Sequence, residues 1–357
     1  MSTSGVGTVV RQARDLLRWC SPLRTELWAS RLAAGLEPDE VEPFLRELRE
    51  NGGTEARLAL AALAAVHPER GAAPTGPQPG APAVSGQGVE GEGEGEADLA
   101  RRAEEAYAAA GEEAAGTLPG WVRRMGRVVC EGGWYGPADP FGEQTLAALS
   151  FRYENGKEPH LLVVAVDQPN GGLAVDAVVE EVKFLDDLGL EPADAGVVAG
   201  RVLDAFELGE RVLGAVTAGT LDAVRAVALA RARSVPGLVR GAADDAVAAF
   251  RDLPDVPGAA EAFGRLAEFV GDRPLWWSPA RVSRFLTSWL PREAVLSDEA
   301  VAAMPDVVRA WTRCRGGHPA VLRQVDADAP LLPALMADDS LAGVRKRMTR
   351  NQPPDHP

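Results

Sequence analysis

The sequence predicts an α+β fold that is dominated by helices and contains a small antiparallel β-meander of three or four strands, at about 127–181, packed on the helices. Two observations lead to this prediction. Most of the chain places apolar residues at helical spacing, whereas two dipeptides, Asn155-Gly156 and Asn170-Gly171, separate three strand-like apolar runs. Asn-Gly between such runs is a strong signal for a β-hairpin.

The N-terminal region, 1–67, is predicted to be helical. Ser21 is a residue type that caps helices, and Pro22 is preset for the first helical position. From 40 to 50, apolar residues recur at i, i+3, i+4 and i+7, which is the pattern of an amphipathic helix. A Gly-Gly pair then marks its end.

Residues 68–99 lose all periodicity and are rich in Pro, Gly and Glu. This composition buries too little apolar surface to offset the entropy of an ordered chain, so we predict a disordered linker. Residues 86–91 match the pattern GxGxxG, but they follow no predicted strand, and the glutamates around them would repel a pyrophosphate. We therefore do not interpret them as a dinucleotide site.

The region 100–190 is predicted to contain helices followed by the small antiparallel sheet. Three segments have the apolar patterns of strands, namely Thr145–Tyr153, His160–Val166 and Leu173–Glu181. The segment Arg127–Glu131 is the candidate for a fourth strand.

The register of the second hairpin follows from its turn. A two-residue Asn170-Gly171 loop pairs Val166 with Val175 and Asp167 with Ala174. Because side chains alternate across a strand, one face of the meander is then apolar, and we expect helices to cover it. This face carries Thr145, Ala147, Leu149, Phe151, Leu162, Val164, Val166, Val175, Ala177 and Val179.

The C-terminal region, 191–340, is again predicted to be helical. Ser278-Pro279 precedes one stripe of apolar residues, and Pro305 opens another that ends at Gly316-Gly317. The last residues, 341–357, are predicted to be a flexible basic tail.

Composition limits the classes of function. The formal net charge of −15 repels phosphate backbones, so nucleic acid is an unfavourable partner. No apolar run is long enough to cross a bilayer, and no signal-peptide pattern is present, so we expect no membrane partner. The three cysteines lie far apart, which indicates a reducing compartment and a cytoplasmic location. The motifs GxxxxGK[ST], GxSxG and HExxH are absent, and we expect no cofactor.

Three segments together resemble a family of uncharacterised actinobacterial proteins. The segments are Asp139–Gln144 (D-x-x-G-[DE]-Q), Val166–Gly172 (V-D-x-x-x-G-G) and Arg273–Pro279 (R-P-L-x-W-S-P). The similarity covers nearly the whole chain outside 68–99, and it implies no catalytic residue. The chain has Gln168-Pro169 where the family pattern has a basic or histidine-containing hairpin tip, and Val175 where it has a lysine.

The predicted register places Asp167, Asp176 and Glu180 on the outer face of the sheet. If this face is solvated, the repulsion between diagonal carboxylates is small. If it is covered, one carboxylate must be neutralised, paired or bound to a metal, since paired carboxylates bind Mg²⁺ or Ca²⁺ or act in acid/base catalysis. No further ligand occurs at a recognisable spacing, so we favour the solvated face. Asp167, Asp176 and Glu180 are the candidate metal ligands.

Other candidate groups have ordinary structural interpretations. Cys314 and His318 are one potential pair of zinc ligands, but zinc needs three or four. His160 and Trp276-Trp277 are expected to belong to the core. Two basic segments are candidate surfaces for acidic partners. They contain Arg11, Arg14, Arg18, Arg24 and Arg31, and Arg345, Lys346, Arg347 and Arg350.

These features favour a non-catalytic protein-interaction or regulatory module with a protein as its partner, and we assign no catalytic residue. The first alternative is a divalent-cation-dependent enzyme or ligand sensor that uses the carboxylates of the 161–181 hairpin. The second is weak nucleic-acid binding through the N-terminal arginine helices.

Overall fold

The computed structural model describes residues 4–66, 93–109, 118–242, 246–271 and 273–351. It confirms a helix-dominated α+β fold in which an antiparallel sheet, of five strands among these residues, packs against helices. The chain divides into two compact units. Unit 1 contains residues 1–136 and 146–242, and unit 2 contains residues 137–145 and 243–357.

Unit 1 combines an N-terminal group of helices with the sheet and two further helices. Its helices are α1 (Ser4–Trp19), α2 (Pro22–Ala34), α3 (Pro38–Asn51), α4 (Thr54–Ala65), α5 (Gly93–Ala109), α6 (Ala195–Arg211) and α7 (Gly219–Arg233). The strands of the sheet are β1 (Val128–Pro137), β2 (Gln144–Tyr153), β3 (His160–Asp167), β4 (Leu173–Glu180) and β5 (Glu191–Ala193). Short 3₁₀ segments, Val122–Arg124 and Val182–Leu188, precede β1 and follow β4.

The N-terminal helices begin and end where the sequence predicts. Ser21 Oγ accepts a hydrogen bond from Arg24 N (3.2 Å) at the start of α2. Gly52 follows the last residue of α3 in the left-handed conformation, with φ of 61°. Helix α4 is buried over most of its length because α1, α2, α3 and α5 pack around its Ala and Leu side chains.

The sheet has the strand order β4-β3-β2-β1-β5. The predicted fourth strand is confirmed as part of β1, and β5 is a short additional strand that pairs with it. The inner face packs against α6 and α7 and is the apolar face that the sequence predicts. Its buried residues include Ala147, Leu149, Phe151, Leu162, Val164 and Val166, with Val198, Val202 and Phe206 from α6.

The register of β3 and β4 departs from the prediction near the turn. The observed pairs are Ala165 with Asp176, Val166 with Ala174 and Asp167 with Leu173. The first pair is as predicted and the other two are shifted by one residue, because Val175 is an additional residue that forms a β-bulge. The Val175 carbonyl accepts a hydrogen bond from Ala218 N (2.8 Å), just before α7. The bulge puts Ala174 rather than Val175 into the inner core.

The outer face of the sheet is not the solvated acidic surface that the sequence predicts. It carries an apolar cluster, and segment 181–191, here called the strap, packs against it. The buried members are Ala148, Leu161 and Val163, and the half-buried ones are Trp134, Leu146, Val178, Leu185, Leu188 and Leu190. The prediction failed because it treated each strand alone and did not account for the apolar side of the segment that follows β4.

Unit 2 is helical and has its own core. Its helices are α8 (Ala246–Ala249), α9 (Ala259–Val270), α10 (Pro279–Arg284), α11 (Leu290–Glu293), α12 (Asp298–Cys314), α13 (Pro319–Asp328), α14 (Leu332–Ala337) and α15 (Val344–Asn351), with a π-helical turn at Phe285–Trp289. Trp311 and Phe285 lie at the centre of this core and have no exposed surface. Residues 191–242, the first part of the predicted C-terminal helical region, belong to unit 1.

Two predicted flexible segments are partly helical. In the predicted linker, residues 93–99 form the first part of α5, where the buried Leu99 attaches the helix to the N-terminal core, and residues 68–92 lie outside the described part of the chain. In the predicted basic tail, 344–351 form α15, which buries Lys346 with its Nζ donating to Pro291 O (2.8 Å). Residues 352–357 lie outside the described part. No helix in the described ranges has both the length and the apolar character that crossing a bilayer requires.

Candidate functional site

Asp167 closes the turn between β3 and β4. Its carboxylate accepts hydrogen bonds from Asn170 N (3.4 Å) and Asn170 Nδ2 (2.8 Å), and its carbonyl accepts one from Gly172 N (2.8 Å). Gly171 and Gly172 both have positive φ, 101° and 93°, a conformation that glycine adopts without the penalty of a Cβ. The Asp167 side chain therefore stabilises the turn.

Asp176 and Glu180 have separate surroundings. Asp176 accepts a hydrogen bond from Thr220 Oγ1 in the first turn of α7. Glu180 is exposed at the far end of β4 from the turn. Among the residues that the structure describes, no group of three or more His, Cys, Asp and Glu is arranged to hold a metal ion. The three carboxylates that the sequence singles out are not brought together into such a group.

The outer face has an apolar centre and an acidic edge. Along the edge strand β4, Val178 lies between Asp176 and Glu180 on one face, because alternate residues of a strand point to the same side. Val178 pairs with Val163 of the buried outer cluster, and Glu180 pairs with Leu161. The carboxylates thus border an apolar surface.

The strap covers this surface only in part. Leu185, Leu188 and Leu190 are half-buried against the sheet, whereas Phe184 keeps 40% of its surface exposed. Lys183 Nζ lies 5.0 Å from the centroid of the Phe184 ring. Contiguous apolar side chains that stay accessible are typical of protein-interaction sites.

Glycines in β1 shape the same face. A Cβ added at Gly132 would lie 2.6 Å from the Trp134 indole, so the absence of a side chain there makes room for the ring. A Cβ at Gly136 would lie 3.3 Å from Leu190 Cδ2 of the strap. Both glycines let bulky apolar groups lie close to the backbone of the sheet.

A buried ionic group joins the N-terminal helices to the sheet. Glu26 of α2 and Arg231 of α7 form an ion pair with both side chains almost completely buried. Glu26 Oε2 also accepts from Tyr153 OH (2.9 Å), and Glu26 Oε1 accepts from Gly126 N (2.6 Å). Arg231 Nη2 donates to Tyr153 OH (3.2 Å), so each charged group has several partners.

His160 completes this buried group. Arg231 Nε donates to His160 Nε2 (3.1 Å), while His160 Nδ1 lies 2.8 Å from Glu158 O. Because an arginine only donates, His160 Nε2 must accept, and the proton resides on Nδ1. Burial and, secondly, the charge of Arg231 lower the pKa of His160 to about 4. The histidine is therefore neutral at physiological pH.

The same surroundings act on Tyr153 and Arg231. Burial raises the pKa of Tyr153 well above its ordinary value, and the Glu26 carboxylate adds to this effect. Burial opposes the charge of Arg231, but the neighbouring Glu26 carboxylate raises the pKa of the guanidinium above its ordinary value. The group is enclosed and its hydrogen bonds are made within the protein, so its role is to connect α2, α7, β2 and β3.

Sequence reasoning identified only one member of this group. It expected His160 to be a structural histidine of the core, which the structure confirms. Arg231 carried a signal that was not used, since it interrupts a run of Ala, Val and Leu in which a charged side chain must find a buried partner. That partner, Glu26, is 205 residues away and no local pattern indicates it.

Two of the three sequence motifs noted above, Asp139–Gln144 and Arg273–Pro279, meet inside unit 2. In the segment 137–145, which contains the β1–β2 loop, Asp139 Oδ1 accepts from Phe141 N (2.8 Å), and Asp139 Oδ2 accepts from Gln144 N (2.7 Å). Phe141 O then accepts from Trp277 N (2.7 Å) of the second motif. The Asp139 carboxylate is thus engaged in shaping the loop.

Gly142 allows the two segments to approach closely. Its φ is 62°, and an added Cβ would lie 2.2 Å from Leu275 O. Trp277, expected in the core, is 3% exposed, and its Nε1 donates to Thr312 Oγ1 (2.9 Å). The two motifs are therefore explained by packing.

Arg281 fixes the second motif to helix α9. Its guanidinium is buried and donates to the carbonyls of Val270 (2.9 Å), Arg273 (2.9 Å) and Trp276 (2.9 Å). It also lies 4.0 Å from the centroid of the Trp276 ring. A cation at the carbonyl end of a helix is stabilised by the helix dipole, so Arg281 caps α9.

The Cys314 and His318 pair does not form a metal site in the described residues. His318 caps α13, with its Nδ1 accepting from Ala320 N (3.3 Å), and its ring lies 4.6 Å from that of Phe141. Cys314 is an exposed free thiol at the end of α12. The GxGxxG segment, 86–91, lies outside the described residues.

The arginines of the first helices are partly compensated by acids. Arg14 pairs with Glu55 (3.0 Å), and Arg18 pairs with Asp15 (3.6 Å). Arg24 lies 5.1 Å from the centroid of the Trp19 ring, which is 59% exposed.

Comparisons with known proteins identify no relative. No protein-family model matches the chain, and neither a curated protein nor a solved structure matches it.

Proposed function

We propose that the protein is a non-catalytic, cytoplasmic interaction module that binds another protein through the outer face of its sheet. One observation carries this proposal. The outer face bears large apolar side chains that stay only partly buried under the strap. In the strap itself, Phe184 precedes the half-buried Leu185 and is 40% exposed. A partner that covered these side chains would gain roughly 25 cal/mol for each Å² of apolar surface removed from water.

The environments of the charged and titratable side chains support a binding role over a catalytic one. The ionic group around Arg231 is enclosed, and the carboxylate of Asp139 is occupied by backbone donors. Asp167 and Asp176 accept hydrogen bonds from within the protein. Calorimetric titration with Mg²⁺, Mn²⁺ and Ca²⁺ is therefore expected to give no saturable heat, and saturable binding that is lost in Asp176→Ala would instead support a cation-dependent activity.

The test compares two substitutions of the same type. Phe184→Asp alters the outer face, whereas Leu213→Asp places the same group at a side chain that is 97% exposed between α6 and α7. Proteins captured from a lysate of the native cells are quantified for both variants, and each candidate is then purified and titrated against them.

We expect a partner that binds the wild type saturably, loses affinity at least tenfold with Phe184→Asp, and keeps its affinity with Leu213→Asp. Capture that is unchanged by Phe184→Asp, or equally reduced by both substitutions, would contradict a binding role for the outer face. Thermal unfolding of both variants establishes that they are folded.

A further inference from the structure

The outer face carries a charge pattern that specifies the chemistry of its partner. Segment 180–191 contains five carboxylates and one lysine, and all five carboxylates are exposed. They are Glu180, Glu181, Asp186, Asp187 and Glu191. Only Glu181 pairs with the lysine, Lys183 (2.8 Å).

The acids of helix α6, in the same unit, provide a contrast. Glu207 pairs with Arg211, Glu210 with Arg225, and Asp204 with Arg240. Within the described residues, Glu180, Asp186, Asp187 and Glu191 have no corresponding ion pair. The negative charge at the outer face is therefore uncompensated by the protein itself, unlike that of α6.

Carboxylates adjoin the apolar residues of the outer face both along β4 and along the strap. Val178 is flanked by carboxylates along β4, and Asp186 and Asp187 lie between Leu185 and Leu188 in the strap. A ligand with apolar groups alone would leave these carboxylates partly desolvated, which is unfavourable without a counter-charge. A ligand with charges alone would leave the apolar centre exposed.

We propose that the outer face recognises a segment of a partner protein in which lysines or arginines flank aliphatic or aromatic anchors. This inference rests on the proposed function and adds the chemistry of the partner to it. Apolar anchors contact Phe184 and the half-buried residues around Val178, while the cations lie over the carboxylates of the strap and of β4. Complementary charge of this kind raises association rates and makes affinity depend on ionic strength.

The probes are three synthetic peptides of equal length, labelled for fluorescence anisotropy. One alternates lysine with leucine and phenylalanine, the second replaces each lysine with glutamate, and the third keeps the lysines but replaces the anchors with serine. We expect the first to bind the full chain at least tenfold more tightly than either of the others, and its affinity to fall at least tenfold between low and high salt.

Charge reversal at the strap is the matching change in the protein. Asp186→Lys/Asp187→Lys is compared with Asp252→Lys/Asp255→Lys, which gives the same change in net charge at exposed residues of unit 2. The strap variant is expected to weaken binding of the first peptide at least tenfold, and the control less than twofold. Asp186→Asn/Asp187→Asn, a milder change, is expected to give an intermediate loss if the lysine variant unfolds.

Each outcome separates the two proposals. Equal binding of the lysine and glutamate peptides, or equal losses with both charge reversals, would overturn the proposed partner chemistry. If the affinity of a captured partner is still reduced by Phe184→Asp in that case, the proposed interaction function is supported, and only the proposed charge pattern of the partner is wrong. Sedimentation of the protein alone tests whether a second copy of the chain occupies the outer face. Self-association that is lost in Phe184→Asp would overturn the proposal that the occupant is a basic segment of another protein.

Discussion

Acidification is expected to destabilise unit 1 through His160. The pKa of this buried histidine is lowered from 6.5 to about 4, first by burial and then by the Arg231 charge. The difference between these two pKa values corresponds to about 3 kcal/mol in the free energy of unfolding. This is a large part of the stability of an ordinary domain, roughly 5–15 kcal/mol.

The direction of the effect follows from proton binding. The unfolded chain takes up a proton at this histidine near pH 6.5, whereas the folded chain does so only near pH 4. Between these values the unfolded state binds more protons, so stability rises with pH. The contribution is fully present above pH 6.5 and is lost as the pH falls towards 4.

Urea unfolding from pH 7 to pH 4 measures this loss, with hydrogen exchange at β2 and β3 amides reporting on unit 1. The control is His160→Gln, whose side-chain oxygen can accept from Arg231 but does not titrate. Because carboxylates titrate in both proteins, their contribution cancels in the difference. We expect the wild type to lose about 3 kcal/mol more than the variant. Parallel stability curves for the two proteins would refute the assignment of a neutral, buried His160.

Three further changes test the packing of each unit. Arg231→Met leaves the Glu26 carboxylate buried without its counter-ion, and we expect a loss of about 3–5 kcal/mol in the free energy of unfolding, measured with urea. Gly156 has positive φ but open space around it, so Gly156→Ala is expected to lower the free energy of unfolding by about 1–2 kcal/mol. Gly142→Ala is expected to lower it further, because its Cβ would lie within 2.2 Å of a backbone carbonyl oxygen. The fragment 243–357 lacks the segment 137–145, which packs against the motif Arg273–Pro279. Circular dichroism of the fragment is therefore expected to show no cooperative unfolding. A cooperative transition equal to that of the full chain would contradict this role of the segment.

The β-hairpins were predictable because their signals are local. Asn-Gly turns and alternating apolar residues define strands over ten residues or fewer, and the inner face of the sheet was predicted nearly residue by residue. The bulge at Val175 was not predictable in this way. It depends on a hydrogen bond from Ala218, which comes 43 positions later and is placed by the packing of α7.

The proposed interaction surface was only half visible in the sequence. The sequence placed the carboxylates Asp176 and Glu180 on the outer face and favoured a solvated face, without indicating its apolar centre. The apolar centre appears only when four strands, β1 to β4, and the strap are assembled, because each strand contributes one or two side chains and the strap three, and none of these segments indicates the cluster in isolation. Asp167, the third candidate, instead stabilises the turn.

By itself, the sequence determined the helical character of most of the chain, the meander and the apolar face that it buries, since periodicity and turn chemistry act between near neighbours. Tertiary structure alone decided which distant groups meet: Glu26 with Arg231, the loop around Gly142 with the segment at Trp277, and the strap with the outer face. The reason is physical. Desolvated charges and large apolar side chains are stabilised by the groups that the fold places beside them. The identity of those neighbouring groups is not encoded within any short stretch of chain.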